Sequence, residues 1–226
     1  MRLATHPPEA CSSPTEPVPR FRHRFGKAEC SIITEVRMTK SLKGQYLIAS
    51  RQLRDPNFYK SVVLIVEDDE TEGTMGLIIN HPSALRVSQA VEGFFCLPET
   101  EERLFIGGPV EPTALFLLHS FTEYNDGEAN ILPGIFLGSS AETFEQVIES
   151  LGMGGSGRWF RVFSGCAGWA PQQLRSEIAR GDWLIHPANS EDLLGVEPYD
   201  FWERVSREAT PYEGLIPKVI GNPEFN

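Results

Sequence analysis

From residue 38 onward the apolar positions fall into short runs broken by turn residues. Tyr46–Arg51 reads as a strand, and Ser61–Glu67 (SVVLIVE) is a nearly continuous apolar run, the pattern of a strand buried on both faces. Thr74–Ile79 follows the acidic turn EDDETEG and is predicted to pair with that strand as a hairpin. Val87–Phe95 predicts a short helix. Arg103–Ile106 and Ala114–His119 are predicted strands on either side of the turn GGPVEPT, and Ile135–Leu137 is a third, shorter one. Ser140–Leu151 places Phe144, Val147, Ile148 and Leu151 at i, i+3, i+4 and i+7, one face of an amphipathic helix. Arg158–Phe163 predicts a strand. Pro171–Arg180 predicts a helix with Pro in its first turn and Gly181 past its end. Asp182–His186 is a predicted strand and Tyr199–Arg207 a final helix. Strands outnumber helices, and hairpins mix with crossovers, which argues for an α+β fold with a mixed sheet. No internal repeat is visible.

Composition narrows the function. The chain has 226 residues, 41% hydrophobic, enough for a sizeable core. No stretch approaches ~18 uninterrupted apolar residues, so a membrane span is not expected. Residues 1–37 differ from the rest. They carry the Pro/Ser-rich segment PPEACSSPTEPVP and the basic cluster Arg20, Arg22, His23 and Arg24. They hold six Lys/Arg and four Asp/Glu, which leaves 14 and 27, a net charge of −13, for residues 38–226. Residues 1–40 are therefore expected to be a disordered extension, with Met38 a candidate start, and residues 41–226 the folded part. The alternatives are a native tail or a transit peptide; Glu9, Glu16, Glu29 and Glu35 oppose the latter. No apolar stretch of ~7–15 residues follows Met1, which points to the cytoplasm. Cys11, Cys30, Cys96 and Cys166 are far apart and form no CxxC pair, so neither a zinc ribbon nor a disulfide scaffold is expected.

Four blocks carry a resemblance: GQYLIASRQLRDPNFYKSVVLIVEDDETEGTMGLIINHP, LFIGGPVEPTALFLLHS, GIFLGSS and SGCAGWAPQQLRSEIARGDWLIHPA. In this order, from residue 44 to about 188, they resemble the AlgH/YqgE family of bacterial proteins. The resemblance implies that residues 41–226 form an AlgH/YqgE-like domain, with a bifurcated mixed sheet curled into a pseudo-barrel and flanked by helices. Some members are called transcriptional regulators of alginate synthesis, and the family brings no established catalytic residues. Direct nucleic-acid binding is not expected. The folded part is acidic, no helix-turn-helix pattern is present, and no helix carries a face of several Lys/Arg.

Several residues are candidates for chemistry or binding. Asp55-Pro56-Asn57-Phe58 reads as a turn whose Phe58 plugs the core. Asn80 ends the strand GTMGLIIN before His81-Pro82, where it is either a turn residue or part of a ligand crevice. Gly107-Gly108-Pro109 lacks the GK[ST] of a P-loop; its glycines supply positive φ or expose backbone N–H groups as an anion nest. His81, His119 and His186 each follow a predicted strand, but no HxH or HxxxH spacing supports a metal site, and none is predicted. Ser164-Gly165-Cys166-Ala167-Gly168-Trp169 links a predicted strand to a predicted helix. That arrangement suits a nucleophile elbow with Cys166 as thiol and His119 as base. The family pattern usually has Tyr where Cys166 stands, which favours packing. Gln173 and Glu177 are i, i+4 on one helix face, and Glu177 with Asp182 would make an acid/base pair only if helix and strand bring them together. The leading expectation is a binding or regulatory protein without enzymatic activity or cofactor. It would engage a protein partner or small ligand through a groove at Asn80, Gly107, Gly108, Gly165, Gly168, Trp169 and Gln173. The alternative is a small enzyme using Cys166 or Glu177 with His119. Oligomeric state and the division into one domain or two lobes stay open.

Overall fold

The computed structural model describes residues 41–90, 102–124, 130–138, 140–151, 158–195 and 197–209. These all lie in one compact unit, Lys40–Asn226. The expectations for the leader, for Cys11, Cys30 and Cys96, and for the second half of the Val87–Phe95 helix fall outside the described residues.

Nine strands are present among the described residues: β1 (Gln45–Ala49), β2 (Val62–Asp69), β3 (Gly73–Ile78), β4 (Pro82–Arg86), β5 (Arg103–Ile106), β6 (Val110–His119), β7 (Phe136–Gly138), β8 (Phe160–Trp169) and β9 (Trp183–Pro187). The helices are α1 (Val87–Ala90), α2 (Ala141–Leu151), α3 (Gln173–Arg180), α4 (Ser190–Gly195) and α5 (Pro198–Ala209). The strand order is β4-β5-β8-β3-β2-β1-β9, with β6 also on β8 and β7 beyond it. The β5–β8 pair is parallel and the other pairs are antiparallel, so the sheet is mixed. It forks on β8. Phe160–Cys166 of β8 faces β6, with Phe163 and Ser164 also paired to β5, while Ala167–Trp169 pairs with β3. The sheet is not closed into a barrel: no pairing joins β9 to β4 or β7 among the described residues.

The apolar run in β2 is explained by what lies on either side. Val62, Leu64 and Val66 enter one core with Tyr46, Phe163, Phe201 and Trp202, whereas Val63 and Ile65 enter a second with Leu47, Trp169, Leu174 and Trp183. Alternate residues of one strand thus serve cores on opposite faces. Each such side chain, once fully buried, contributes roughly 1.5–3 kcal/mol. A third core gathers Leu117, Phe121, Phe160 and Val162 under Phe144 and Val147 of α2. Ser140 caps that helix: its Oγ accepts from Thr143 N at 3.1 Å.

Four differences from the sequence reading matter. The segment expected to turn at residues 164–169 continues as β8. The helix expected from Pro171 begins at Gln173, after a left-handed Gln172 (φ 65°). Strand β4 and helix α4 had no counterpart among the predicted elements. Strand β6 starts at Val110, with an irregularity before Leu115.

Candidate functional site

Cys166 lies in the extended backbone of β8, 5% exposed, packed into the core that Tyr46 and Phe163 share. Burial pushes its thiol above the ordinary range, and the nearby charges of Glu111 and Glu67 add to the effect. Cys166 pairs with Val110, whereas His119 pairs with Phe160, six residues earlier on β8. At about 3.3 Å per residue, roughly 20 Å of strand separate the two rungs. The thiol and the imidazole are therefore not brought together. His119 is itself 1% exposed, stacked on Phe136, and its Nδ1 accepts from Phe121 N.

The glycines of this block serve a close crossing of two chain segments. A Cβ on Gly107 would lie 2.2 Å from Gly165 O, one on Gly108 2.3 Å from the backbone of Cys166, and one on Gly165 2.6 Å from Gly108 O. Gly165 also holds φ 69°. The Gly107 N–H donates to Ser164 O at 2.8 Å, so it is committed to the crossing and not free to cradle an anion. At the edge of this crossing Val110 and Ile106 stay 42% and 49% exposed, and the exposed Gly168 faces the Val110 side chain.

Glu177 is engaged in a second constellation. Its Oε2 accepts from Trp169 Nε1 and Trp183 Nε1, each at 2.9 Å, and its Oε1 accepts from Gln173 Nε2 at 2.9 Å. Asp182 does not join it, because its carboxylate pairs with Arg180 at 2.6 Å. The two indoles meet edge to face, and Phe58 stacks on Trp169 and abuts Trp183. Glu177 thereby fixes the platform on which the loop before β2 is anchored.

That loop is held from its other end by Asn80 and His81. Asn80 is 6% exposed; its Oδ1 accepts from Val62 N at 2.8 Å and its Nδ2 donates to Lys60 O at 2.9 Å. Burial pushes the His81 imidazole below its ordinary pKa, while hydrogen bonds to the backbone of Lys60 and Tyr59 pull the other way. Asp55 accepts from Asn57 N and Ser61 Oγ donates to Phe58 O, closing the short 3₁₀ turn Pro56–Phe58. Between the two anchors Lys60 sits at φ 51°, a left-handed conformation that costs a residue with a side chain about 1–2 kcal/mol. Lys60 Nζ lies 5.2 Å above the Trp202 ring and 3.1 Å from Glu203. With Ser50, Arg51, Leu53 and Tyr59 these residues enclose a recess of about 410 Å³. Trp202 is tied in by Nε1 donating to Ala49 O at 2.8 Å.

Sequence reasoning did not single out Arg51, Tyr59, Lys60 or Trp202. The only signal was composition, a cluster of three cations and two aromatics (RQLRDPNFYK) in an acidic domain. A wider recess of about 890 Å³ lies along α4 and α5; acids outnumber arginines in its lining, and Arg204 bridges Asp192 at 2.8 Å and Glu208 at 3.6 Å. No group of three or more His, Cys, Asp or Glu is placed to hold a metal ion among the described residues. His186 on β9 is 3.7 Å from Glu208 of α5, His119 ends β6, and His81 lies between β3 and β4. No described helix is long and apolar enough to cross a membrane.

Comparison with known proteins converges on one set. The family model described as AlgH-like matches residues 46–211. A UPF0301 protein of Myxococcus xanthus is 38% identical over 171 residues, covering 74% of this chain and 91% of the relative. One of Thermobifida fusca is 34% identical over 193 residues, covering 82% and 96%. Among solved structures, the solution structure of the AlgH protein from Pseudomonas aeruginosa superposes with a TM-score of 0.59 at 30% identity, covering 76% of this chain and 88% of that one. A crystal structure of a Corynebacterium diphtheriae protein also gives 0.59, at 26% identity over 77% and 90%.

Proposed function

The chain belongs to the AlgH-like family, and from that premise we propose that it is a non-catalytic binding protein that regulates in the cytoplasm through a protein partner. The observation that carries the reading is the separation of Cys166 from His119 by roughly 20 Å of β8. A thiol nucleophile needs its base within hydrogen-bond reach, and a buried thiol whose pKa is raised is a poor nucleophile. Glu177, the other candidate, has its carboxylate filled by two indoles and an amide. The net charge of −13 over residues 38–226 supports action through a partner and not by gripping DNA. The partner face in this reading is the crossing at Gly107, Gly108 and Gly165, with Gly168, Trp169 and Gln173 beside it, where Val110 and Ile106 remain exposed. Asn80 clamps the Lys60 loop, and the backbone on either side of it bonds to the crossing, Ile78 N donating to Gly107 O at 2.8 Å and Ile106 N to His81 O at 2.9 Å.

Complementation of a deletion strain, read as restored transcript levels, tests this. Cys166→Ala should restore them as fully as the native chain, and Val110→Glu should not, with both variants melting cooperatively. A folded Cys166→Ala protein that fails to restore them would return the enzymatic reading with His119 or Glu177 to first place.

A further inference from the structure

The recess between the turn after β1 and the loop before β2 runs against the charge of the domain around it. Arg51 and Lys60 both line it, although acids outnumber Lys and Arg by 27 to 14 over residues 38–226. Arg51 has no carboxylate partner among the described residues. Lys60 has one, Glu203, but the two side chains are 44% and 57% exposed, and an ion pair so open to water is weak enough to yield to a ligand anion. The rest of the lining is Ser50, the Glu203 carboxylate that a bound anion would displace from Lys60, and the apolar surface of Leu53, the ring of Trp202 and Tyr59, which is 68% exposed. A large aromatic left that open on a loop anchored at both ends is a ready face for a flat group. The left-handed backbone of Lys60 is what turns its ammonium over Trp202, and Asn80 on one side and Phe58 on the other hold it there. Strain that the surroundings over-determine in this way marks a site kept in shape before its ligand arrives. The volume, about 410 Å³, suits a small organic molecule.

We propose that this recess binds a small organic anion, its phosphate or carboxylate head on Arg51 and Lys60 and its flat or apolar body against Tyr59 and Leu53. The site is independent of the partner face proposed above and does not require the protein to be non-catalytic.

Titration of the isotope-labelled full-length chain with phenyl phosphate, benzoate and inorganic phosphate tests it by amide chemical shifts. Saturable shifts centred on residues 50–53 and 59–60 are expected for phenyl phosphate or benzoate, at lower concentration than for inorganic phosphate, which lacks the body. Whichever of the two saturates first identifies the head group. Arg51→Ser and Lys60→Gly should each weaken binding about tenfold or more. Lys60→Gly should melt no lower than the native chain, since glycine accepts the left-handed backbone, so loss of binding there cannot be loss of fold. Absence of saturation in the millimolar range for both ligands would overturn the proposal, as would shifts that survive both substitutions.

Discussion

Glu177 shows how a residue with catalytic credentials is used for architecture. One carboxylate takes three N–H donors from a strand, a helix and the next strand: Trp169, Gln173 and Trp183. The Gln173 contact was legible, because i and i+4 share a helix face. The indole contacts were not, since they depend on how β8 and β9 flank α3. Truncation would leave two part-buried indole N–H groups without an acceptor, and such groups cost about 1–3 kcal/mol each when fully buried. Because Glu177 is itself partly exposed, Glu177→Ala should destabilise by about 2 kcal/mol, and Glu177→Gln, which keeps an acceptor oxygen, by less. Urea unfolding with an unchanged m-value measures both. An alanine variant as stable as the native chain would mean that the indoles find water instead.

At the scale of elements, the apolar runs were legible wherever a strand serves two cores, as β1 and β2 do, and the amphipathic face of α2 was legible from Phe144 and Val147. Strand β4 was not, because it buries no residue fully and so carries no apolar signature. The misreading of β8 is the instructive one. Ser164 to Gly168 looks like a turn because its residues are small, yet they are small because β8 forks there and the Gly107–Gly108 backbone crosses it. Gly165→Ala separates the two explanations when set beside Gly181→Ala. Both glycines have positive φ, 69° and 82°, but a Cβ on Gly165 would collide with Gly108 O at 2.6 Å while one on Gly181 meets nothing within 4 Å. Gly181→Ala should cost about 1 kcal/mol, the conformational penalty alone. Gly165→Ala should cost that plus the overpacking penalty, typically a further 1–3 kcal/mol. Equal losses in thermal melts would mean that the crossing relaxes without strain.

At the scale of the molecule, the recess at Lys60 was hidden from sequence because its walls come from the turn after β1, the loop before β2 and Trp202 of α5. Its backbone is also tied to the solution pH through His81, which bonds to the backbone of Tyr59 and Lys60 and is held below its ordinary pKa by burial. The folded chain therefore takes up this proton less readily than the unfolded chain. Above a pH of about 6.5 both states leave the imidazole neutral and no stability is at stake. Below it the unfolded chain protonates first, so stability falls with pH until the folded imidazole also titrates. Asp69, held down at about 2 by Thr71 and by backbone N–H groups, loses its contribution only in far stronger acid and does not confuse this window. Native stability should thus drop as the pH falls below about 6.5, and the drop should be smaller in His81→Gln. Protection of the Tyr59 and Lys60 amides, corrected for the intrinsic pH dependence of exchange, should fall over the same range in the native chain, because burial of the charged imidazole favours opening of the loop. If both proteins lose the same stability, other groups govern the acid response and His81 is only a bystander in the clamp.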